Sequence, residues 1–326
     1  MPMCRIARYG IGLLCWLACA GGVLAQPYPS APIRLVVGYP PGGANDIIAR
    51  QFAPRLGVEL GTQVVVENKG GANAILGAEA VARATPDGYT LLFAGLTSLV
   101  FNTLTYPRLP YDAVKDFEGI GVIASNPVVF AVRPSLGVGS LPELVALAKG
   151  SPGKLNFATV GAGGSTRVWF ELLKSAAQID LSYVPYKGGA QAITDLMGNQ
   201  VDGIGIDLPA VLGFVRDGKL RAIAVTGEER HPLLPEVGTA HEQGLAGLTA
   251  GNWYALLAPA GTPAPILQRL DRATRAVMAD PGFAAQLLKL GVQVSPQALA
   301  GDYDRFLRAE MERWAPIVRS ARIQAD

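Results

Sequence analysis

The sequence predicts an α/β fold of two domains, each built on a mainly parallel sheet. Three observations carry that expectation. Short apolar strands alternate with short helices. A strand, a glycine loop and a helix start follow one another twice, at residues 33–50 and again at 155–177. The alternation is interrupted at Asn126-Pro127, and an apolar strand at 252–258 returns the chain to where it began. The expected division is 26–125 plus 251–326 for domain 1 and 126–250 for domain 2.

Residues 1–25 stand apart. Arg5 and Arg8 precede an almost wholly apolar stretch at 11–23, and Val23-Leu24-Ala25 has the small-residue ending of a secretory signal peptide. The apolar core is shorter than the roughly 20 residues a membrane span needs, so export with cleavage after Ala25 is expected. Cys19 follows Leu17-Ala18, but Trp16 stands where a lipid-attachment box usually has leucine, so lipidation is not expected. Cleavage removes all three cysteines, Cys4, Cys15 and Cys19, which leaves core burial rather than disulfides to hold a mature chain of roughly 300 residues. It also removes two of 28 basic residues, leaving 26 against 26 acids. A neutral chain without a basic run gives no electrostatic case for nucleic acid.

The elements follow in order. Ile33–Val37 is a β-branched strand stopped by Tyr39-Pro40-Pro41-Gly42-Gly43, where prolines remove donors and glycines admit positive φ. A helix runs to Leu60, 62–67 is a second strand, 75–84 a helix and 89–94 a third strand. Residues 95–116 form a long connection. Apolar runs at 117–125 and 128–132 are split by Asn126-Pro127, and Ser140 with Glu143 makes a capping-box pattern. Strands at 155–159, 181–185, 201–206 and 220–226 alternate with helices at 167–177, 191–197 and 209–216, and 231–247 holds a short helix. Three helices, 263–279, 281–290 and 296–320, close the chain. Ligands in such sheets bind beyond the carboxyl ends of strands, where the glycine loops lie, and two facing domains can trap one by hinge closure.

Two loops carry the candidate chemistry. Residues 41–46 bring free backbone N–H groups and a helix dipole to one point, which suits an anion. The sequence is neither a Walker loop nor a complete G-x-G-x-x-G, and an ordinary turn capped by Asn45 or Asp46 is an equal reading. Residues 160–166 expose backbone at Gly161, Gly163 and Gly164 and offer hydroxyls at Ser165 and Thr166, where helix capping by Ser165 is again as good an account. Arg167 can pair with an anion or point to solvent. Asp207 reads first as a helix N-cap, second as a cleft carboxylate that receives an amine or hydroxyl. Lys187 reads as a solvated turn residue. His231 and His241 lie in the irregular 231–247 region and read as surface groups; with no cysteine they make no metal cluster and little material for nucleophilic catalysis. No metal or other cofactor is expected. The acids Asp302, Asp304, Glu310 and Glu312 read as a solvated helix face.

Several short motifs form one ordered set: Tyr39-Pro40-Pro41-Gly42-Gly43 with Asp46, Glu67-Asn68, Asp87-Gly88-Tyr89-Thr90-Leu91-Leu92, and Leu109-Pro110-Tyr111-Asp112. Pro152-Gly153-Lys154-Leu155-Asn156-Phe157, Val184-Pro185-Tyr186-Lys187-Gly188-Gly189 and Ala258-Pro259-Ala260-Gly261-Thr262-Pro263 continue it. Together they resemble the periplasmic substrate receptors of tripartite tricarboxylate transporters, also called Bug receptors, over essentially the whole mature chain. The resemblance implies a two-domain periplasmic binding protein of the Venus-flytrap type, a monomer and not an enzyme, that holds a small carboxylate largely through backbone N–H groups, hydroxyls and water. A dicarboxylate, tricarboxylate, acidic amino acid or aromatic acid would fit, delivered to membrane transporter subunits. By position it implicates Tyr39, Gly43, Ala44, Asn45 and Asp46 in the first loop, Thr97 after the third strand, Val160, Gly161, Ser165 and Thr166 in the second loop, and Asp207. Two positions depart from the family pattern: Asn45 stands where threonine is common and Arg167 where histidine is common. The competing readings are an exported enzyme acting on a small acid and a ligand-sensing subunit for a signalling partner.

Overall fold

The computed structural model describes residues 28–161, 163–295 and 301–324. The expected signal peptide with its cysteines, Ala162 and the residues opening the last expected helix lie outside the described residues. The chain begins β1 (Ile33–Val37), α1 (Ala44–Leu60), β2 (Val64–Asn68), α2 (Ile75–Ala82) and β3 (Thr90–Gly95). A π turn, Thr97–Phe101, then passes into the short α3 (Asn102–Thr105), followed by β4 (Phe117–Val132) and α4 (Leu141–Gly150). The middle of the chain alternates: β5 (Asn156–Val160), α5 (Ser165–Ala177), β6 (Ser182–Tyr186), α6 (Gly189–Met197), β7 (Gly203–Asp207), α7 (Leu208–Arg216) and β8 (Arg221–Val225). It closes with β9 (Gly251–Pro259), α8 (Ala264–Ala279), α9 (Pro281–Lys289), β10 (Gln293–Val294) and α10 (Tyr303–Ser320).

The strand order is β2-β1-β3-β9-β4-β7-β5-β6, with β8 and β10 also paired to β4. The parallel units β2-β1-β3 and β6-β5-β7 lie at the two ends of that order, and the antiparallel β9 and β4 join them. Asn126-Pro127 is not the break that its composition implies. β4 is one 16-residue strand, and Pro127 sits where the strand changes partner, from β9 (Pro127 opposite Gly251) to β7 (Val128 opposite Asp207). A residue without an N–H is tolerated in a strand where the ladder is being handed from one neighbour to another.

Each end has its own aromatic packing. Phe52 of α1 lies between Phe93 of β3 and Phe283 of α9, with ring centroids 6.1 and 6.0 Å away. At the other end Phe157 and Phe170 pack at 6.3 Å beside the fully buried Trp169. Ser140 accepts the Glu143 N–H at 3.4 Å as the capping pattern predicts, but the returning Glu143 carboxylate takes the Gly139 N–H rather than that of Ser140.

Other expectations are corrected. Residues 95–116 open with a buried π turn and α3 rather than a loose connection, and the whole of Thr97–Phe101 is buried. Residues 231–247 hold turns and no helix. His231 is not a surface group but is only 4 % exposed, its Nδ1 accepting the Leu233 N–H. Glu310 is not on a solvated face: its carboxylate accepts the indole N–H of both Trp253 and Trp314, at 2.8 and 3.2 Å, and so pins α10 onto β9. Among the described residues no helix is long and apolar enough to cross a membrane.

Candidate functional site

Four strands, β1, β5, β6 and β7, are each followed by a helix whose first turn borders one space. After β1 the chain turns through Gly42, whose φ of +89° needs glycine, and α1 begins at Ala44 with Gly43 as its N-cap. After β5, Gly161 takes φ +74° and α5 begins at Ser165 with Gly164 as N-cap. After β6, Lys187-Gly188-Gly189 leads into α6 with Gly188 as N-cap. None of these three caps has a side chain, so no cap residue satisfies the first N–H groups of its helix, although at α5 the Ser165 N–H is taken by Thr97. α7, after β7, starts at Leu208 with Asp207 in the N-cap position, yet the Asp207 carboxylate makes no cap bond either.

The four helix starts converge on a cavity of about 280 Å³. Its wall takes in Tyr39, Gly43, Ala44, Asn45, Thr97, Val160, Ser165, Thr166 and Asp207 among the residues expected from the sequence, together with Pro40, Pro41, Lys187, Gly188, Gly189, Ala190, Gln191, Ile206, Ala210 and Asn252. Four helix dipoles aimed at one enclosure make it attractive to negative charge.

Asp46 and Gly161, also expected in the site, stand behind its wall. The Asp46 carboxylate is 4 % exposed and accepts the Gly42 N–H at 3.0 Å, Arg50 Nε at 2.9 Å and Asn68 Nδ2 at 2.9 Å, while Asn68 also donates to the Tyr39 carbonyl at 3.0 Å. Burial opposes ionisation of Asp46, but those hydrogen bonds outweigh it and hold its pKa below the usual aspartate value. Asp46 therefore shapes the first loop from within. In the second loop Thr166 does comparable work, its Oγ1 accepting the Val160 N–H at 2.7 Å. Ser165 donates its backbone N–H to Thr97 Oγ1 at 3.1 Å, a bond that joins the second loop to the π turn after β3. Its own hydroxyl has no hydrogen-bond partner among the described residues, although Ser165 is only 7 % exposed and lines the cavity.

Asp207 forms the floor. Its Oδ1 accepts Asn126 Nδ2 at 3.0 Å and its Oδ2 accepts Asn252 Nδ2 at 3.2 Å, and Tyr254 donates its hydroxyl to Asn126 Oδ1 at 2.7 Å. Burial raises the Asp207 pKa to about 6 despite these bonds. Burial likewise raises the Tyr39 hydroxyl well above its usual value, so it remains a neutral donor. The N-cap reading of Asp207 is thus replaced by a carboxylate held at the junction of β4, β7 and β9. Arg167 does not reach the cavity wall: it pairs with Glu171 at 2.6 Å and lies 3.6 Å over the Tyr183 ring.

This geometry accords with the comparisons. The chain matches the model for the tripartite tricarboxylate transporter family receptor over residues 48–323. The chain belongs to that family. A relative, Protein BugT of Bordetella pertussis, is 34% identical over 306 residues, covering 92% of each chain. The solved structure of R. palustris Rpa4515 with adipate superposes with a TM-score of 0.89 at 30% identity, over 92% of this chain and all of that one. MatC of Rhodopseudomonas palustris with bound malate gives 0.84 at 30% identity, over 89% of this chain and all of that one. Tripartite tricarboxylate receptors are solute-binding proteins and not enzymes, which settles the choice between binder and exported enzyme. Among the described residues of this receptor no group of three or more His, Asp or Glu side chains is placed to hold a metal ion.

Sequence reasoning missed the third anion-facing helix start. The motif was there, since Lys187-Gly188-Gly189 follows a strand and opens a helix just as the other two loops do, but a lysine in a turn reads as solvated. Asn252 carries no local signal at all, because its partner Asp207 is 45 residues away.

Proposed function

We propose that this chain is a periplasmic receptor that closes two lobes around a small carboxylate and hands it to membrane transporter subunits. The lobes are 26–125 with 251–326, and 126–250, joined where β4 and β9 pass between them, and residues 1–25 are the cleaved export signal. The observation that carries the reading is the convergence of three glycine-capped helix N-termini on one cavity. Adipate and malate in the related structures support the class of ligand.

In this reading Tyr39, Thr97, Ser165 and Thr166 offer hydroxyls, and Gly43, Ala44 and Val160 offer backbone. Asn45 offers an amide and Asp207 closes the floor. Asp46 and Gly161 act by shaping the loops. A salt-bridge grip is not needed: Lys187 is the one cation on the described wall, and several oriented N–H dipoles in a partly enclosed site do the work of a counter-charge. A thermal-shift panel of dicarboxylates, tricarboxylates, acidic amino acids and aromatic acids tests the proposal. A ligand at a hundred times its Kd should add about 2.7 kcal/mol of stability; no stabilisation by any of these acids overturns it.

A further inference from the structure

Asp207 is out of place in a cavity built from donors. It is the only acid on the described wall, surrounded by helix N-termini, hydroxyls and amides. It is 8 % exposed, and it stands at the N-cap of α7 without capping it. A carboxylate that gives up the cap bond its position offers, and that is buried besides, has to be satisfied elsewhere. Asn126 and Asn252 supply one hydrogen bond to each oxygen. Both amides are themselves held in orientation, Asn126 by the Tyr254 hydroxyl and Asn252 by the N–H groups of Leu96 and Trp253, at 3.3 and 3.0 Å on its Oδ1. Two carboxylate oxygens offer about four lone-pair sites. Two are filled from the junction side, and the residue borders the cavity with acceptor capacity to spare.

That arrangement has a consequence for the ligand. A second carboxylate placed against Asp207 meets like charge in a low-dielectric pocket, whereas a hydroxyl or ammonium placed there completes its hydrogen bonding. We propose that Asp207 selects, among the small carboxylates the cavity attracts, those that also carry a hydrogen-bond donor, a hydroxyl or an ammonium, beside the carboxylate. This rests on the carboxylate-receptor reading above and narrows it from small acids in general to hydroxy and amino acids. The division of labour is spatial: the helix N-termini take the carboxylate, and the floor takes the donor.

Matched acids that differ at one position test this by isothermal titration on the intact protein: succinate, malate and aspartate; glutarate, 2-hydroxyglutarate and glutamate; phenylacetate, mandelate and phenylglycine. Within the series that binds, a donor-bearing acid should bind at least about tenfold tighter than its unsubstituted partner, as expected of a hydrogen bond to a charged group. The hydroxy and amino members separate the two kinds of donor. In Asp207→Asn that ratio should fall below about threefold. The wild-type ratios decide the matter even if this variant does not fold. Equal affinity for substituted and unsubstituted acids, or a ratio that survives in Asp207→Asn, overturns the inference and leaves the receptor reading standing. No binding by any member overturns the receptor reading and this inference with it.

Discussion

The two loops that face each other across the cavity are braced in different ways. The first, between β1 and α1, is held from within: a single buried carboxylate, Asp46, ties Gly42, Arg50 and Asn68 together, and Asn68 reaches on to Tyr39. The second, between β5 and α5, leans on the first lobe. Asn73, in the loop after β2, puts its side chain where a Cβ on Gly161 or Gly164 would stand, with Oδ1 at 2.5 and 2.7 Å from those positions. Thr105 Oγ1 donates to the Gly163 carbonyl at 3.3 Å, and Thr97 accepts the Ser165 N–H. The first jaw is thus braced wholly from within, and the second both from within, through Thr166, and by residues of the first lobe. That arrangement suits a receptor in which the ligand first meets a rigid loop and the second lobe then closes over it.

Asp46→Ala should give the largest effect. It strands the Gly42 N–H and the Asn68 amide around a vacated buried site, and about 3 kcal/mol of stability should go, together with at least tenfold in ligand affinity. Urea melts and titration calorimetry measure the two. An unchanged affinity would mean that the first jaw is not preformed by its own carboxylate.

Gly161→Ala comes next. A methyl group there meets Asn73, and the residue keeps a φ of +74° that alanine tolerates poorly. Affinity should fall about tenfold by wedging the jaws apart, and the radius of gyration with ligand present should exceed that of the wild type. Combining it with Asn73→Ala removes the obstructing amide, so the double variant should lose less affinity than the two single losses combined. Strict additivity would show that the second loop does not depend on Asn73.

A smaller effect concerns the floor. Because burial raises the Asp207 pKa to about 6 in the folded protein, above the unfolded value, its contribution favours folding at low pH and is lost as pH rises through about 6. The stability difference between wild type and Asp207→Asn should therefore shift by about 2 kcal/mol towards the wild type between pH 7.5 and 4.5. A constant difference, or one of opposite sign, would contradict the placement of this carboxylate. Least of all should change in Arg167→Ala. Its guanidinium pairs with Glu171 and stacks on Tyr183 away from the cavity, so ligand affinity should stay within about twofold whatever the variant loses in stability.

The contrast between the jaws also explains what the sequence could reveal. The first loop was legible because its chemistry is local: prolines, glycines and a helix start lie within eight residues of Tyr39, and Asp46 bonds four residues back to Gly42. The alternation of strands and helices was legible for the same reason, since a hydrophobic period is a local signal. Asp207 reads as a cap before it reads as a cleft carboxylate because its partners Asn126 and Asn252 are 81 and 45 residues away. Asn73 carried no signal, since its role depends on a glycine loop in the other lobe. His231 and Glu310 looked solvated because polar residues are read as exposed until a packed neighbour is found for them; for Glu310 those neighbours are two indoles, one on β9 and one a turn further along α10.

The central claim is that one small acid bridges helix starts from both lobes. Hydrogen exchange on the intact protein, with and without the acid of highest affinity from the titration panel, reads those backbone amides directly. Ligand should slow exchange together at the starts of α1, α5 and α6, around Ala44, Ser165 and Gly189. Protection confined to one of these starts, or found only away from the cavity, would contradict the account.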